Sequence, residues 1–112
     1  MARTKIPVLI GGGGEKKTLR IVAEHADIWH SFSDLDTLKR KKSILAEHCA
    51  VVGRDFSDIT LSSGFGKGEP AESGDALVEE GVRLFTLPMH QLVDHGEAVA
   101  KVKAALAWRD QL

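Results

Sequence analysis

The stretch from Ile6 to Leu19, read Ile-Pro-Val-Leu-Ile-Gly-Gly-Gly-Gly-Glu-Lys-Lys-Thr-Leu, constrains this chain more than any other. A short apolar strand runs into four consecutive glycines, Gly11 to Gly14, and then into residues spaced like a helix. Glycines at a strand-to-helix turn open backbone angles closed to other residues and let a ligand approach the main chain. The first N–H groups of the following helix point back at that turn and can hold an anion. The expectation is a phosphate-bearing ligand above the C-terminal end of a sheet strand; the simpler alternative is a tight βα turn and nothing more.

Two familiar glycine patterns do not apply. The phosphate loop of nucleotide hydrolases needs a glycine directly before its Lys-Thr pair, and Lys16 precedes Lys17-Thr18 here. The dinucleotide fingerprint needs its third glycine at position 16 or 17, and both are lysine. No acidic residue follows at a second strand end for ribose binding, because Asp27 precedes the next strand.

A length of 112 residues bounds the fold to one domain, taken as residues 1–112. The net charge of −1 argues against nucleic acid and anionic membranes as partners. With no tyrosine, the chain also offers few stacking platforms for single-stranded nucleic acid. The single cysteine, Cys49, excludes an internal disulfide and suits a reducing compartment. Pro7 to Ile10 is too short for a signal-peptide core or a membrane span. A cytoplasmic location is expected.

Alternation of short apolar runs with helical spacing predicts the elements. Ile6–Ile10 reads as a strand buried on both faces. Glu15–Ala26 carries Leu19, Val22, Ala23 and Ala26 at helical intervals. Ala26–Phe32 reads as a second strand, and Ser33-Asp34 opens a long helix that ends near Gly53. Its Lys39-Arg40-Lys41-Lys42 run is expected to be a solvated face. Ile59–Phe65 is a third strand, Gly66–Gly74 a loop, and Asp75–Glu80 a short helix closed by Gly81. Val82–Pro88 is a fourth strand and Leu92–Trp108 a closing helix, with Val99, Val102, Ala105 and Leu106 on its apolar side. Strands separated by crossover-length helices require a mostly parallel sheet, so the class is α/β.

Taken in order, the glycine-turn segment Ile6 to Arg20, then Ala26-Asp27-Ile28-Trp29, then His48 to Asp55 with its Gly-Arg-Asp, closely resembles the C-terminal half of the bacterial luciferase-like oxidoreductases. The nearest branch uses the deazaflavin coenzyme (coenzyme F-420) rather than flavin mononucleotide (FMN). Gly81 to Phe85 resembles the last barrel strand of that family. The resemblance implies a partial (β/α)8 barrel, a C-terminal half-barrel of about four parallel strands with its cofactor over the C-terminal strand ends. It also implies that the backbone of Gly12, Gly13, Gly14 and Glu15 lies against the coenzyme's phosphate tail. Repulsion by the phosphate is expected to turn the Glu15 side chain to solvent; Lys16 or Lys17 can offset that repulsion, although a solvated lysine is the commoner outcome.

The chain departs from the family by starting at about the fifth strand and by its short link from Phe65 to Gly81. The family's catalytic residues lie mainly in the other half, so none is assigned. The function expected is the C-terminal portion of a flavin- or deazaflavin-dependent, monooxygenase-like oxidoreductase. The alternative is a catalytically inactive module that binds phosphate or self-assembles. Half a barrel leaves two sheet edges open, and a homo-oligomer covering them is expected.

Other candidates are few. His30 and His90 fall at the ends of the second and fourth strands, where a neutral imidazole can bind substrate or move a proton. His25, His48 and His95 share no metal-ligand spacing, so no zinc site is expected. Cys49, Trp29 and Trp108 read as packing residues. Gly53-Arg54-Asp55 reads as a turn, with Gly53 ending the helix and Asp55 bonding locally. Ser62 and Ser63 have no adjacent base to make either a nucleophile.

Overall fold

The computed structural model describes residues 6–31, 34–65, 70–87 and 94–112. Strands and helices alternate: β1 (Leu9–Gly11), α1 (Thr18–His25), β2 (Ile28–Ser31), α2 (Leu35–Val52), β3 (Thr60–Gly64), α3 (Pro70–Glu79), β4 (Val82–Thr86) and α4 (His95–Arg109). The strands form one four-stranded sheet in the order β1-β2-β3-β4, and every neighbouring pair is parallel. The protein is therefore α/β, an all-parallel sheet flanked by helices.

Each crossover steps one strand further in the same direction, and right-handed connections of this kind put their helices on one face. The main core agrees. Leu19, Val22 and Ala23 of α1, Leu38, Leu45 and Cys49 of α2, and Leu77 of α3 pack with Trp29, Leu61 and Val82 of the strands. Those strand residues form one lateral row, with Ile10 opposite Trp29, Trp29 opposite Leu61, and Leu61 opposite Val82. Side chains alternate along a strand. The next row, Gly11, His30, Ser62 and Leu84, accordingly lies on the other face. Arg83 is an extra residue in β4 between these two rows, and the resulting bulge keeps Val82 and Phe85 on the helix side.

A second cluster joins β4 to α4. Phe65 stacks on Phe85 at a centroid distance of 4.7 Å, and Trp108 meets them edge-on at 5.3 and 5.1 Å. Such edge and offset arrangements suit the quadrupoles of the rings.

Three expectations are corrected. The first strand is not buried on both faces: Val8 and Leu9 are half exposed, because β1 is an edge strand and only Ile10 meets the helices. Of the segment read as a loop, residues 70–74 are helical, since α3 starts at Pro70. Proline at a first helical position loses no hydrogen bond and has its φ preset. The apolar side of α4 is only partly covered; Ala105 and Trp108 are buried, while Val99 and Leu106 are exposed.

Helix α2 begins and ends as its sequence implies. The Asp34 carboxylate accepts from the Thr37 N–H at 2.8 Å, and Gly53 ends the helix at φ +76°. A Cβ at Gly53 would meet nothing within 4 Å, so only the backbone conformation resists substitution there. Gly53→Ala is expected to cost about 1 kcal/mol in urea unfolding, with Gly53→Asn costing less. A neutral alanine variant would contradict this account of the helix end.

Candidate functional site at the C-terminal end of β1

Between β1 and α1 the chain runs through Gly12, Gly13, Gly14 and Glu15. Each of these four carbonyls is taken by the protein. The Trp29 indole N–H donates to Gly12 at 2.7 Å, the Lys41 ammonium donates to Gly13, the Leu19 N–H donates to Gly14 at 2.9 Å, and His48 Nε2–H donates to Glu15 at 2.8 Å. By contrast, the N–H groups of Gly13, Gly14 and Glu15 donate to no described residue. Lys17, at the N-cap of α1, provides no side-chain cap, and the first turn of that helix carries no acid. Among the described residues the turn thus offers unpaired N–H groups beside a helix N-terminus without a side-chain cap, which is the arrangement that attracts an anion.

Glycine is favoured at this turn for more than one reason. Gly12 has φ +130°, a conformation other residues resist. A Cβ at Gly13 would lie 2.8 Å from Lys41 Nζ, and one at Gly14 would lie 2.8 Å from Thr18 Oγ1.

The charges around the turn differ from the sequence expectation. Glu15 does not turn to solvent; its carboxylate lies 3.0 Å from Arg40 Nη2 and 3.9 Å from Lys41 Nζ. Nor is the α2 basic run a solvated face throughout. The side chains of Lys41 and Lys42 are only 18% and 27% exposed. Lys42 donates to the Glu80 carbonyl at 2.8 Å and to its carboxylate at 2.9 Å, and that hydrogen bond holds the Glu80 carboxyl below its ordinary range. Position within the helix explains the split. Lys41 and Lys42 follow Leu38 by three and four residues, beside the apolar stripe, whereas Lys39 and Arg40 point away from it. That spacing was the available signal.

His30 sits at the same end of the sheet. It pairs in register with Gly11 and with Ser62, and Gly12 N–H reaches its carbonyl at 3.4 Å. His30 Nδ1 and Ser62 Oγ are 2.8 Å apart on the face opposite the helices. The structure therefore brings the glycine turn and His30 together, while His90 lies outside the described residues. Burial pushes the His30 imidazole below its ordinary pKa, favouring the neutral ring. Because the folded pKa is the lower one, this neutral histidine's contribution to stability is complete above the ordinary imidazole pKa and is lost as pH falls through the folded value. His30→Gln should flatten the acid side of the stability–pH curve below pH ~6.5. Superimposable curves for the two proteins would remove His30 from the titration.

The other motifs are structural. Asp27 Oδ2 accepts from Val8 N–H at 2.8 Å, and Asp27 N–H donates to the Val8 carbonyl at 2.9 Å, fastening the entry of β1 to β2. Gly53-Arg54-Asp55 forms the expected turn: Asp55 accepts from the Ser57 N–H and hydroxyl at 2.9 and 2.8 Å. Arg54 adds a contact the sequence did not suggest, reaching the Val22 and Ala23 carbonyls near the C-terminus of α1 at 3.3 Å. Cys49 is buried, and burial pushes its thiol pKa up, which keeps it an inert core residue. Ser63 Oγ–H donates to the Gly64 carbonyl at 2.9 Å.

Among the described residues, no group of three or more His, Cys, Asp or Glu side chains is placed to hold a metal, and no helix is long and apolar enough to cross a membrane. Comparison with family models and with curated proteins finds no match for this chain.

Proposed function

We propose that this chain is the C-terminal part of a luciferase-like, flavin- or deazaflavin-dependent oxidoreductase, and that its glycine turn holds the phosphate tail of the cofactor. The observation that carries this reading is the turn itself: carbonyls bound inward at Gly12 to Glu15, with N–H groups at Gly13, Gly14 and Glu15 that donate to no described residue. Hydrogen bonds from such N–H groups to a phosphate are charge-assisted and among the stronger kinds. The strand order β1-β2-β3-β4 supports the barrel part of the reading. A doubly wound sheet reverses direction at a switch point, whereas the strands of a (β/α)8 barrel follow one another without reversal. The cofactor-binding set is Gly12, Gly13, Gly14 and Glu15, and His30 beside them is the candidate to touch the ring or the substrate.

A second reading, a catalytically inactive phosphate-binding or self-assembling half-barrel, draws on the packing of the turn. Gly12, with its positive φ, and Gly14, with Thr18 close by, each have an internal reason to be glycine, which needs no cofactor.

Titration with FMN, with the deazaflavin coenzyme and with riboflavin, followed by cofactor fluorescence, separates these readings. Riboflavin has the ring of FMN and no phosphate. If the turn binds the tail, FMN binds at least about tenfold more tightly than riboflavin, equivalent to ~1.4 kcal/mol. Equal affinities would refute the tail-binding turn. Binding without hydride transfer to any electron acceptor would favour the inactive module.

A further inference from the structure

No base neighbours Ser62 along the chain, but the sheet supplies one. Strands β2 and β3 pair His30 with Ser62 in register. Both side chains lie on the face opposite the helices, with His30 Nδ1 and Ser62 Oγ 2.8 Å apart. The two differ in access: Ser62 is 1% exposed, whereas His30 is half-buried.

Donor accounting decides which atom carries the proton. A serine hydroxyl has one proton to donate and two lone pairs to offer. A buried donor left unmade is costly, while an under-used lone pair is tolerated more readily. The next residue, Ser63, gives its proton to the Gly64 carbonyl at 2.9 Å. Ser62 has no such outlet: His30 Nδ1 is the one hydrogen-bond partner of its Oγ among the described residues. At its low exposure, solvent offers little alternative. The hydroxyl therefore donates, Nδ1 accepts, and the neutral imidazole carries its own proton on Nε2. Burial of His30 favours that neutral ring.

A serine beside a histidine also suggests a nucleophile and its base, but the access is the wrong way round. Here the hydroxyl is enclosed and the imidazole is the reachable partner, so the atom that meets a ligand belongs to His30. We propose that Ser62 is a positioning residue: its hydroxyl fixes His30 in the Nε2–H form, making the imidazole a hydrogen-bond donor to an acceptor atom on the ring of the bound cofactor. Oxidised flavins and deazaflavins carry such acceptors as ring carbonyl oxygens. The ring contact rests on the cofactor reading given above, whereas the tautomer does not. Nε2 need not be idle beforehand; His30 has a further interaction in this structure, which a ligand acceptor shares or displaces.

Nitrogen NMR of the isotope-labelled full chain at pH ~8, above the ordinary imidazole pKa, reads the tautomer directly. His30 is picked out from the five histidines by its loss in His30→Gln. The parent should show an unprotonated Nδ1 and a protonated Nε2. Ser62→Ala should let the Nδ1–H form appear while far-UV circular dichroism stays native. It should also raise the Kd of riboflavin and of FMN by one common factor, roughly three- to tenfold, the size expected for a single hydrogen bond. A proton on Nδ1 in the parent, a tautomer unmoved by Ser62→Ala, or unchanged flavin Kd values would each overturn the assignment. The parent spectrum is decisive even if Ser62→Ala does not fold. Equal parent affinities for FMN and riboflavin, both weakened by Ser62→Ala, would refute the tail-binding turn and keep the ring contact. A loss confined to FMN would refute the ring contact and leave the turn standing. A parent that binds neither flavin would overturn the ring contact together with the cofactor reading.

Discussion

Replacing Gly74 with alanine is expected to destabilise this protein by about 3 kcal/mol, although alanine in a helix interior ordinarily gains about 1 kcal/mol over glycine. The reason is the Trp108 indole, which lies across α3 at this point. A Cβ on residue 74 would sit 2.4 Å from Cζ2 and 2.5 Å from Cε2 of that ring. The ring is already engaged by its neighbours. Phe65 and Phe85 hold it at 5.3 and 5.1 Å, and its Nε1–H donates to Asp75 Oδ1 at 2.8 Å. Overpacking therefore displaces α4 or breaks the partly buried hydrogen bond to Asp75, and either outcome exceeds the propensity gain. Trp108→Leu removes the clashing atoms, so the double variant should lose less than the two single losses combined. Urea unfolding of the four proteins measures this, and a Gly74→Ala protein as stable as the parent would refute it.

The second large effect belongs to Trp29. Its side chain is fully buried in the main core, and its indole N–H is the donor that fixes Gly12. Trp29→Ala is expected to cost about 3–5 kcal/mol, a large part of the 5–15 kcal/mol that holds a typical domain together. Trp29→Phe separates the two roles. It keeps most of the apolar contact but leaves the Gly12 carbonyl without its donor, at a cost of about 1–3 kcal/mol. If the indole positions the turn, Trp29→Phe also weakens FMN binding while riboflavin binding changes little. Equal losses for both ligands would show that the indole only fills the core.

The class and order of the elements were legible because each strand and helix carries its own periodicity. Leu38, Leu45 and Cys49 recur on one side of α2, and Gly53 marks its end. What local pattern could not supply was lateral position in the sheet. Ile6 to Ile10 has the composition of a central strand, yet β1 is at an edge, and only the pairing decides which of its residues meet the helices. Gly74 misled in the opposite sense. It reads locally as a helix breaker, and its reason for being glycine is a tryptophan 34 residues away in sequence.

The site was legible in part. Gly12 to Glu15 and His30 do converge at one end of the sheet. The residues that orient the turn, Trp29, Lys41 and His48, were read as packing, surface and helix residues. Their role appears only once α2 is laid against β1 and β2. A charged side chain bordering an apolar stripe, as Lys41 does, is the feature that could have drawn attention to it.

The chain has no tyrosine, so its near-ultraviolet emission comes from two indoles alone. One is enclosed with α1 and α2, and the other with the β4–α4 rings. Each hydrophobic nucleus thus carries its own natural fluorophore. Proteins retaining a single tryptophan will reveal whether both nuclei melt as one cooperative unit or whether the C-terminal aromatic group lets go first.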